Sequence, residues 1–284
     1  MIWIIVGSGT GCILGARQHK RQKIMSSSEH LPADPVELTD IKFADVRTSL
    51  AQGLQDFRRA PLIGMFFGAV FSVLGIVIYL QLVVWGTSYW ALPLMAGFPL
   101  IGPFVAVGLY DVSRRLEAGD PIDWGEVLTV IAQERGRQIP SMAFVALFFF
   151  LAWVYFAHLV FALTFGLRPL TNISSEPDLL FSGAGLAMLS AGTLVGGALA
   201  LLLFSISVIS VPLLLDREID VVTAMITSVR SVMDNPQAML GWGVVVAVLT
   251  AVAMVPFFLG MIVIFPILGH ASWHLYRKVV LPKP

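Results

Sequence analysis

The sequence is poor in two things, cysteine and charge. One cysteine, Cys12, stands among 284 residues, which excludes an internal disulfide and any thiolate cluster. Charged side chains make up 13% of the chain and hydrophobic ones 57%, where a soluble domain carries about 25% charged residues. So few charges do not cover a water-facing surface, and a core of this size would leave large apolar patches outside it. A bilayer supplies the apolar solvent that such a chain needs. Lysine plus arginine and aspartate plus glutamate each number 18, so the net charge is zero. That balance points to no nucleic-acid partner.

The little charge there is collects in residues 17–60, 111–137, 216–234 and 277–283, and the chain between is nearly uncharged. Such alternation is expected of membrane crossings and their linkers. A crossing helix needs about 20 apolar residues, and the runs 61–85, 89–110, 141–167 and 181–215 each supply them. The last run, 238–269, is too long for one crossing: about 32 residues rise ~48 Å, against a hydrocarbon core ~30 Å thick. Pro256 lies near its middle and breaks helices, so two short, tilted crossings joined there are expected, six in all.

Orientation follows from the basic residues beside the crossings. Lys42, Arg47, Arg58 and Arg59 precede the first; Arg114, Arg115, Arg135 and Arg137 lie in the 111–140 loop; Arg217 and Arg230 lie in the 216–237 loop. Arg277, Lys278 and Lys283 end the chain, and the other three connections contain only Arg168. Six crossings put every basic segment on one side, so both termini are expected in the cytoplasm.

Residues 1–24 fit this scheme poorly. A short apolar stretch begins at Met1, and the basic cluster Arg17, Lys20, Arg21, Lys23 follows it, the reverse of a signal peptide. The expected start is Met25, with 1–24 a doubtful extension, 25–37 a flexible polar segment and 38–284 a single membrane domain.

That domain contains a repeat. Asp45-Val46-x-Thr48 through Arg58-Arg59-Ala60-Pro61 aligns without a gap to Asp220-Val221-x-Thr223 through Asp234-Asn235-Pro236, at an offset of 175 residues (45 to 220, 61 to 236). Phe43, Val46, Leu50, Leu54 and Phe57 recur every three or four positions, and Val221, Met225, Val229 and Val232 repeat that face. Both read as amphipathic helices ending where a proline opens a span. A weaker third copy, 126–139 with Val127, Val130 and Ile131, leads to Pro140. The second helix of each hairpin carries Phe98-Pro99-Leu100, Val211-Pro212-Leu213 or Phe265-Pro266-Ile267. The expected fold is an all-α polytopic bundle: three hairpins, each led by a cytoplasmic amphipathic helix, with repeats at about 38–111, 122–215 and 217–278.

Candidate chemistry is sparse. No Asp, Glu, Lys or Arg lies within the crossings, which counts against an ion-coupled pump or an intramembrane proton relay. His158, among Tyr155, Phe156 and Phe161, is expected to bond a neighbouring carbonyl rather than hold haem. His270 and His274 share a helix face at a spacing that can grip a metal. No Glu or Cys joins them at ligand spacing, and Trp273 and Tyr276 beside them mark an interfacial belt. These three histidines are weak metal candidates, and no catalytic, cofactor or metal site is assigned. Asp111, Arg114, Arg115 and Glu117 form a charged turn. Arg58, Arg59, Arg114, Arg115, Arg277 and Lys278 are expected to anchor to lipid phosphates and set topology. Gly64-x-x-x-Gly68 and Gly192-x-x-x-Gly196 allow close helix contact, within the chain, in a homo-oligomer or with other membrane proteins.

Three strings carry a family resemblance. Gly102-Pro103 with Gly108-Leu109-Tyr110-Asp111-Val112-Ser113-Arg114-Arg115-Leu116-Glu117 is the first, Val211-Pro212-Leu213-Leu214-Leu215-Asp216 the second, and Gly269-His270-Ala271-Ser272-Trp273-His274-Leu275-Tyr276-Arg277 the third. Over about 35–280 the chain resembles the bacterial family of predicted integral membrane proteins catalogued as domain of unknown function 2189. The resemblance implies an inner-membrane protein without an assigned activity. Members are sometimes labelled cytochrome c oxidase subunit I, but a haem–copper subunit needs a set of histidines inside its helices, and the crossings here hold one.

The leading expectation is a non-enzymatic membrane scaffold or assembly partner without cofactor. The alternative is a transporter or channel for a neutral or apolar solute, lined by residues such as Gln81, Ser205, Ser207 and Ser210. A haem- or metal-binding protein associated with the respiratory chain is the weaker third.

Overall fold

Prolines open three of the long apolar helices. The computed structural model describes residues 36–83, 97, 102–134, 138–166, 178 and 181–282, and eleven helices run through them. In chain order these are α1 (Phe43–Arg59), α2 (Pro61–Val83), α3 (Gly102–Val105), α4 (Val107–Ala118), α5 (Trp124–Glu134) and α6 (Ile139–Phe165). Then come α7 (Gly183–Ser207), α8 (Ser210–Asp216), α9 (Val221–Asp234), α10 (Pro236–Met254) and α11 (Met261–Val279). Pro61, Pro140 and Pro236 fall at the first or second position of α2, α6 and α10, where the missing N–H has no intrahelical partner to lose.

Among the described residues, four helices are long and apolar enough to cross a membrane: Pro61–Gln81, Ile139–Phe165, Gly183–Asp216 and Pro236–Met254. Most of the expected second crossing, the 98–100 triplet, the 1–24 extension and Arg135, Arg137, Arg168 and Lys283 lie outside the described residues. The long run 238–269 is broken: α10 ends at Met254 and α11 starts at Met261, with turns at 255–260. Phe257 and Phe258 sit there at φ 50° and 65°, a left-handed backbone that ends a helix outright. The structure thus has two helices joined beside Pro256. α11, however, runs on to Val279, well past the apolar run.

The two aligned segments end in similar joints. Ala60 and Asn235, 175 residues apart, have φ/ψ of −129°/56° and −123°/53°. Each donates its backbone N–H to the carbonyl four residues back, that of Asp56 or Ser231, and each is followed by the proline that opens the next helix. The third joint differs, with Gln138 in helical backbone at −91°/−13°.

The inward faces are not those that apolar periodicity picks out. α1 buries Val46, Ser49, Gly53 and Asp56, while α9 buries Ala224, Thr227, Ser228, Ser231 and Val232. Phe43, Val222 and Ile226 are exposed. Small and hydroxyl residues face inward because they admit a close helix approach. A Cβ on Gly53 would stand 2.6 Å from the Ala271 backbone nitrogen, and one on Gly68 2.5 Å from the Ile262 carbonyl.

Within 37–284, which form one compact unit, α11 is the central element and packs on α1, α2, α4, α8 and α10. The α2–α11 seam is sealed by Phe71 stacked on Phe265 at 4.4 Å. Leu109, Leu213, Met239, Trp242, Trp273 and Leu275 are fully buried, so the core sits around the ends of α4 and α8, the start of α10 and the last turns of α11. There the segment leading into α1 pairs with the end of α11: Leu38 bridges Val280, and the Thr39 N–H donates to the Val279 carbonyl at 2.8 Å. α6 and α7 pack mainly on each other, with Trp153 over Gly196.

Candidate functional site

Close packing of α1 and α4 on α11 brings five polar side chains together inside the bundle. Gly53 lets α1 touch the α11 backbone at Ile267 and Ala271, which carries Asp56, one turn further on, to His274. On another side of α11, Leu109 packs against Gly269, so the next turns of α4 present Ser113 and Glu117. His274 Nε2 lies 2.6 Å from Asp56 Oδ2, and its Nδ1 lies 3.4 Å from Glu117 Oε1. The Ser113 hydroxyl donates to Asp56 Oδ2 at 2.8 Å and is also 2.8 Å from His270 Nδ1. Asp56, Ser113, His270 and His274 are all buried.

The electrostatics follow. Both nitrogens of His274 face carboxylates, and only the imidazolium has two N–H groups to offer them. Burial alone pulls the His274 pKa down, but hydrogen bonds and charge from Asp56 and Glu117 outweigh it and raise the value to about 9. For Asp56, burial works upward, while hydrogen bonds from His274 and Ser113 prevail and hold the carboxyl below its usual range. Glu117 is likewise held low against burial, by His274 and Arg277 among others. At neutral pH the cluster is one imidazolium between two carboxylates.

It continues toward the surface. Arg277 Nε lies 3.3 Å from Glu117 Oε2, and its Nη1 lies 3.8 Å from Asp216 Oδ2. The Tyr276 hydroxyl donates to the same Asp216 oxygen at 2.6 Å, and burial followed by that bond pushes its phenol up. The chain of contacts ties α1, α4, α8 and α11 at one end of the bundle.

A second charged knot adjoins it. Asp111, fully buried, pairs with Arg114 through one oxygen and with Arg115 Nε at 2.8 Å through the other; Arg115 also pairs with Glu126 in α5. Arg114 reaches the Leu215 carbonyl at 3.5 Å. Of the other expected anchors, Arg58 and Arg59 are exposed, and Lys278 donates to the Asp45 carbonyl at 3.1 Å.

The remaining candidates stand apart. His158 Nδ1 lies 2.7 Å from the Val154 carbonyl on its own helix, and His158 is not brought near His270 or His274. Among the described residues no three His, Cys, Asp or Glu gather to hold a metal. Ser205 and Ser210 donate to the carbonyls of Leu201 and Ile206, one turn back. Gly64 and Gly68 pack on α11, whereas a Cβ on Gly192 would meet nothing within 4 Å.

Sequence reasoning found the histidine pair and the charged turn but missed Asp56 and Ser113. The small residues Ser49 and Gly53, leading on one face to a lone acid, are the signal that marks Asp56.

Long apolar helices with most of the described charges gathered at one end of the bundle are the mark of a helical integral membrane protein. Residues 91–216 match the family described as "Predicted integral membrane protein (DUF2189)", and the chain resembles that family through this stretch. The match contains Ser113 and Glu117; Asp56, His270 and His274 lie outside it. No curated protein and no solved structure matches the chain.

Proposed function

We propose that this is a multi-pass protein of the bacterial inner membrane, with six crossings and both termini in the cytoplasm, acting as a non-enzymatic scaffold or assembly partner. The observation that carries the reading is the exposure of α6. Of its most apolar stretch 11% is buried within the chain, against 50% for the span made by α7 and α8. Phe144, Phe148, Leu151, Tyr155 and Leu163 all face outward. A helix that gives its own chain so little surface keeps it for lipid or for a helix of another protein. The polar groups of α1, α4, α8 and α11, meanwhile, hold those segments to one another.

The orientation rests on the basic segments. Arg114 reaches the end of α8, Arg217 the Leu281 carbonyl and Arg277 the Asp216 carboxylate, so three basic segments meet at one end, which the positive-inside rule assigns to the cytoplasm. Arg58 and Arg59, exposed where α1 turns into α2, are the lipid-phosphate anchors best placed for that role.

A photoreactive phenylalanine analogue at 148 or 151, activated in native membranes, tests the scaffold. Discrete protein adducts are expected from both positions and none from buried Ser49. Adducts with lipid alone would overturn the reading.

A further inference from the structure

Ser113 stands between an acid and a histidine, and a hydroxyl has one proton to give. Its Oγ is 2.8 Å from Asp56 Oδ2 and 2.8 Å from His270 Nδ1, both distances of formed hydrogen bonds. The hydroxyl therefore donates in one and accepts in the other, where the partner supplies the proton. With His270 a neutral imidazole, two arrangements satisfy this. In the first, His270 is protonated on Nδ1 and donates to Ser113, which donates to the Asp56 carboxylate. In the second, Asp56 is a carboxylic acid donating to Ser113, Ser113 donates to a bare Nδ1, and His270 is protonated on Nε2.

The second arrangement holds one proton more. To reach it, a proton adds to His270 Nε2, the Nδ1 proton passes to Ser113 Oγ, and the hydroxyl's own proton passes to Asp56 Oδ2. Only N–H and O–H bonds change, and the imidazole begins and ends neutral. We propose that Asp56, Ser113 and His270 form a proton-binding site that takes up a single proton as the pH falls, reverses its hydrogen bonds, and withdraws from His274 one of its two counter-charges.

Burial favours this over the alternatives. His270 and Ser113 are fully enclosed and Asp56 is 4% exposed. A lasting imidazolium at His270 would sit sealed from water, where charge is costly. His270 Nε2 is buried and makes no hydrogen bond of full geometry among the described residues, while the Leu109 backbone within reach of the ring favours its taking up a proton. The neighbouring ionisable groups are Asp56 from α1, Glu117 from α4, and His274 and Arg277 on α11 itself. Asp216 of α8 reaches Arg277 and Tyr276. α2 and α10, also packed on α11, carry no Asp, Glu, Lys, Arg or His. The acid-held proton thus changes the charge felt by His274 and, through it, the grip of α1 on α11. The site stands independently of any scaffold role.

Nitrogen-15 NMR of the full chain in lipid nanodiscs, labelled at histidine, reads the tautomer directly, with His270 assigned by the signals lost in His270→Gln. From neutral to acid pH, His270 is expected to pass from the Nδ1–H to the Nε2–H form without an imidazolium signature, while the His274 signals shift in the same step. Ser113→Ala is expected to abolish the switch and Ser113→Thr to keep it. A wild-type His270 that becomes imidazolium or retains Nδ1–H overturns the proposal, as does a switch that survives in Ser113→Ala. Should Ser113→Ala fail to fold, the wild-type and Ser113→Thr spectra decide alone.

Discussion

At the scale of the residue, the decisive group is His274. A histidine with 8% of its side chain exposed, against an aspartate with 6%, is a buried pair. Removing one member strands the other's charge, at a cost of about 3–5 kcal/mol. His274→Leu is therefore expected to lower stability by roughly that amount in chemical or thermal unfolding. Adding Asp56→Leu should return much of the loss, because an apolar pair of similar volume is often neutral. Equal damage in the single and double variants would show that the pair is not the source. The pH dependence has a definite sign. A folded pKa raised from 6.5 to about 9 contributes stability that is complete below 6.5 and lost as pH rises through 9. Asp56 and Glu117, held low, contribute in the opposite sense and lose their part on acidification. The unfolding temperature should decline between pH 7 and 10, and a curve as steep in His274→Leu would refute the assignment. The sequence displayed half of this site. His270 and His274 are four apart and visibly share a face, but Ser113 is 157 residues from His270 and Asp56 is 218 from His274. Neither acid nor hydroxyl shows a pattern that names so distant a partner.

At the scale of the element, starts were legible and faces were not. Proline at a helix start is a local rule, so 61, 140 and 236 mark spans directly. The inward face of α9 depends on what it meets, and a line of Ala224, Ser228 and Ser231 wins over Val221, Met225 and Val229 because it allows a closer approach. The two glycine motifs show the same ambiguity. Both read alike in sequence, yet Gly68 lies against the Ile262 backbone and Gly192 against nothing. Gly68→Ile should force α2 from α11 and cost about 1–3 kcal/mol or more. Gly192→Ala should be neutral or gain about 0.5–1 kcal/mol from helix propensity. Similar melting temperatures for the two variants would contradict the packing described. The joints make a further case. Asn235 Oδ1 accepts the Ile41 N–H at 2.7 Å, and its Nδ2 donates to the Ser231 carbonyl at 3.3 Å, linking the entry to α1 with the α9–α10 joint. Asn235→Ala leaves the part-buried Ile41 N–H unpaired, and a loss of about 1–3 kcal/mol is expected in equilibrium unfolding.

At the scale of the molecule, the sequence announces the membrane through its missing charge, while the proposed six crossings need two more than the four evident spans, one in 89–110, mostly outside the described residues, and one made by α11. α11 is 19 residues long, about 28 Å at 1.5 Å per residue, close to the hydrocarbon thickness. Yet its last turns hold His270, His274 and Arg277 and are wrapped by α1, α4 and α8 rather than by lipid. Composition therefore separates it from the four evident spans, although the turn at 255–260 returns the chain to the end where Asp216, Arg217 and Leu281 meet. If the α10–α11 hairpin traverses the bilayer, Phe257, 61% exposed, faces the side opposite Arg58. In a Cys12→Ser background, Phe257→Cys should react with a membrane-impermeant maleimide in intact cells whose outer membrane has been made permeable. Arg58→Cys should react only after the inner membrane is opened. Labelling of both positions from the same side would mean that the hairpin does not cross and that six is the wrong number. The reversed pattern would keep the hairpin's crossing but place Arg58 outside the cytoplasm, against the distribution of arginine and lysine that first oriented the chain.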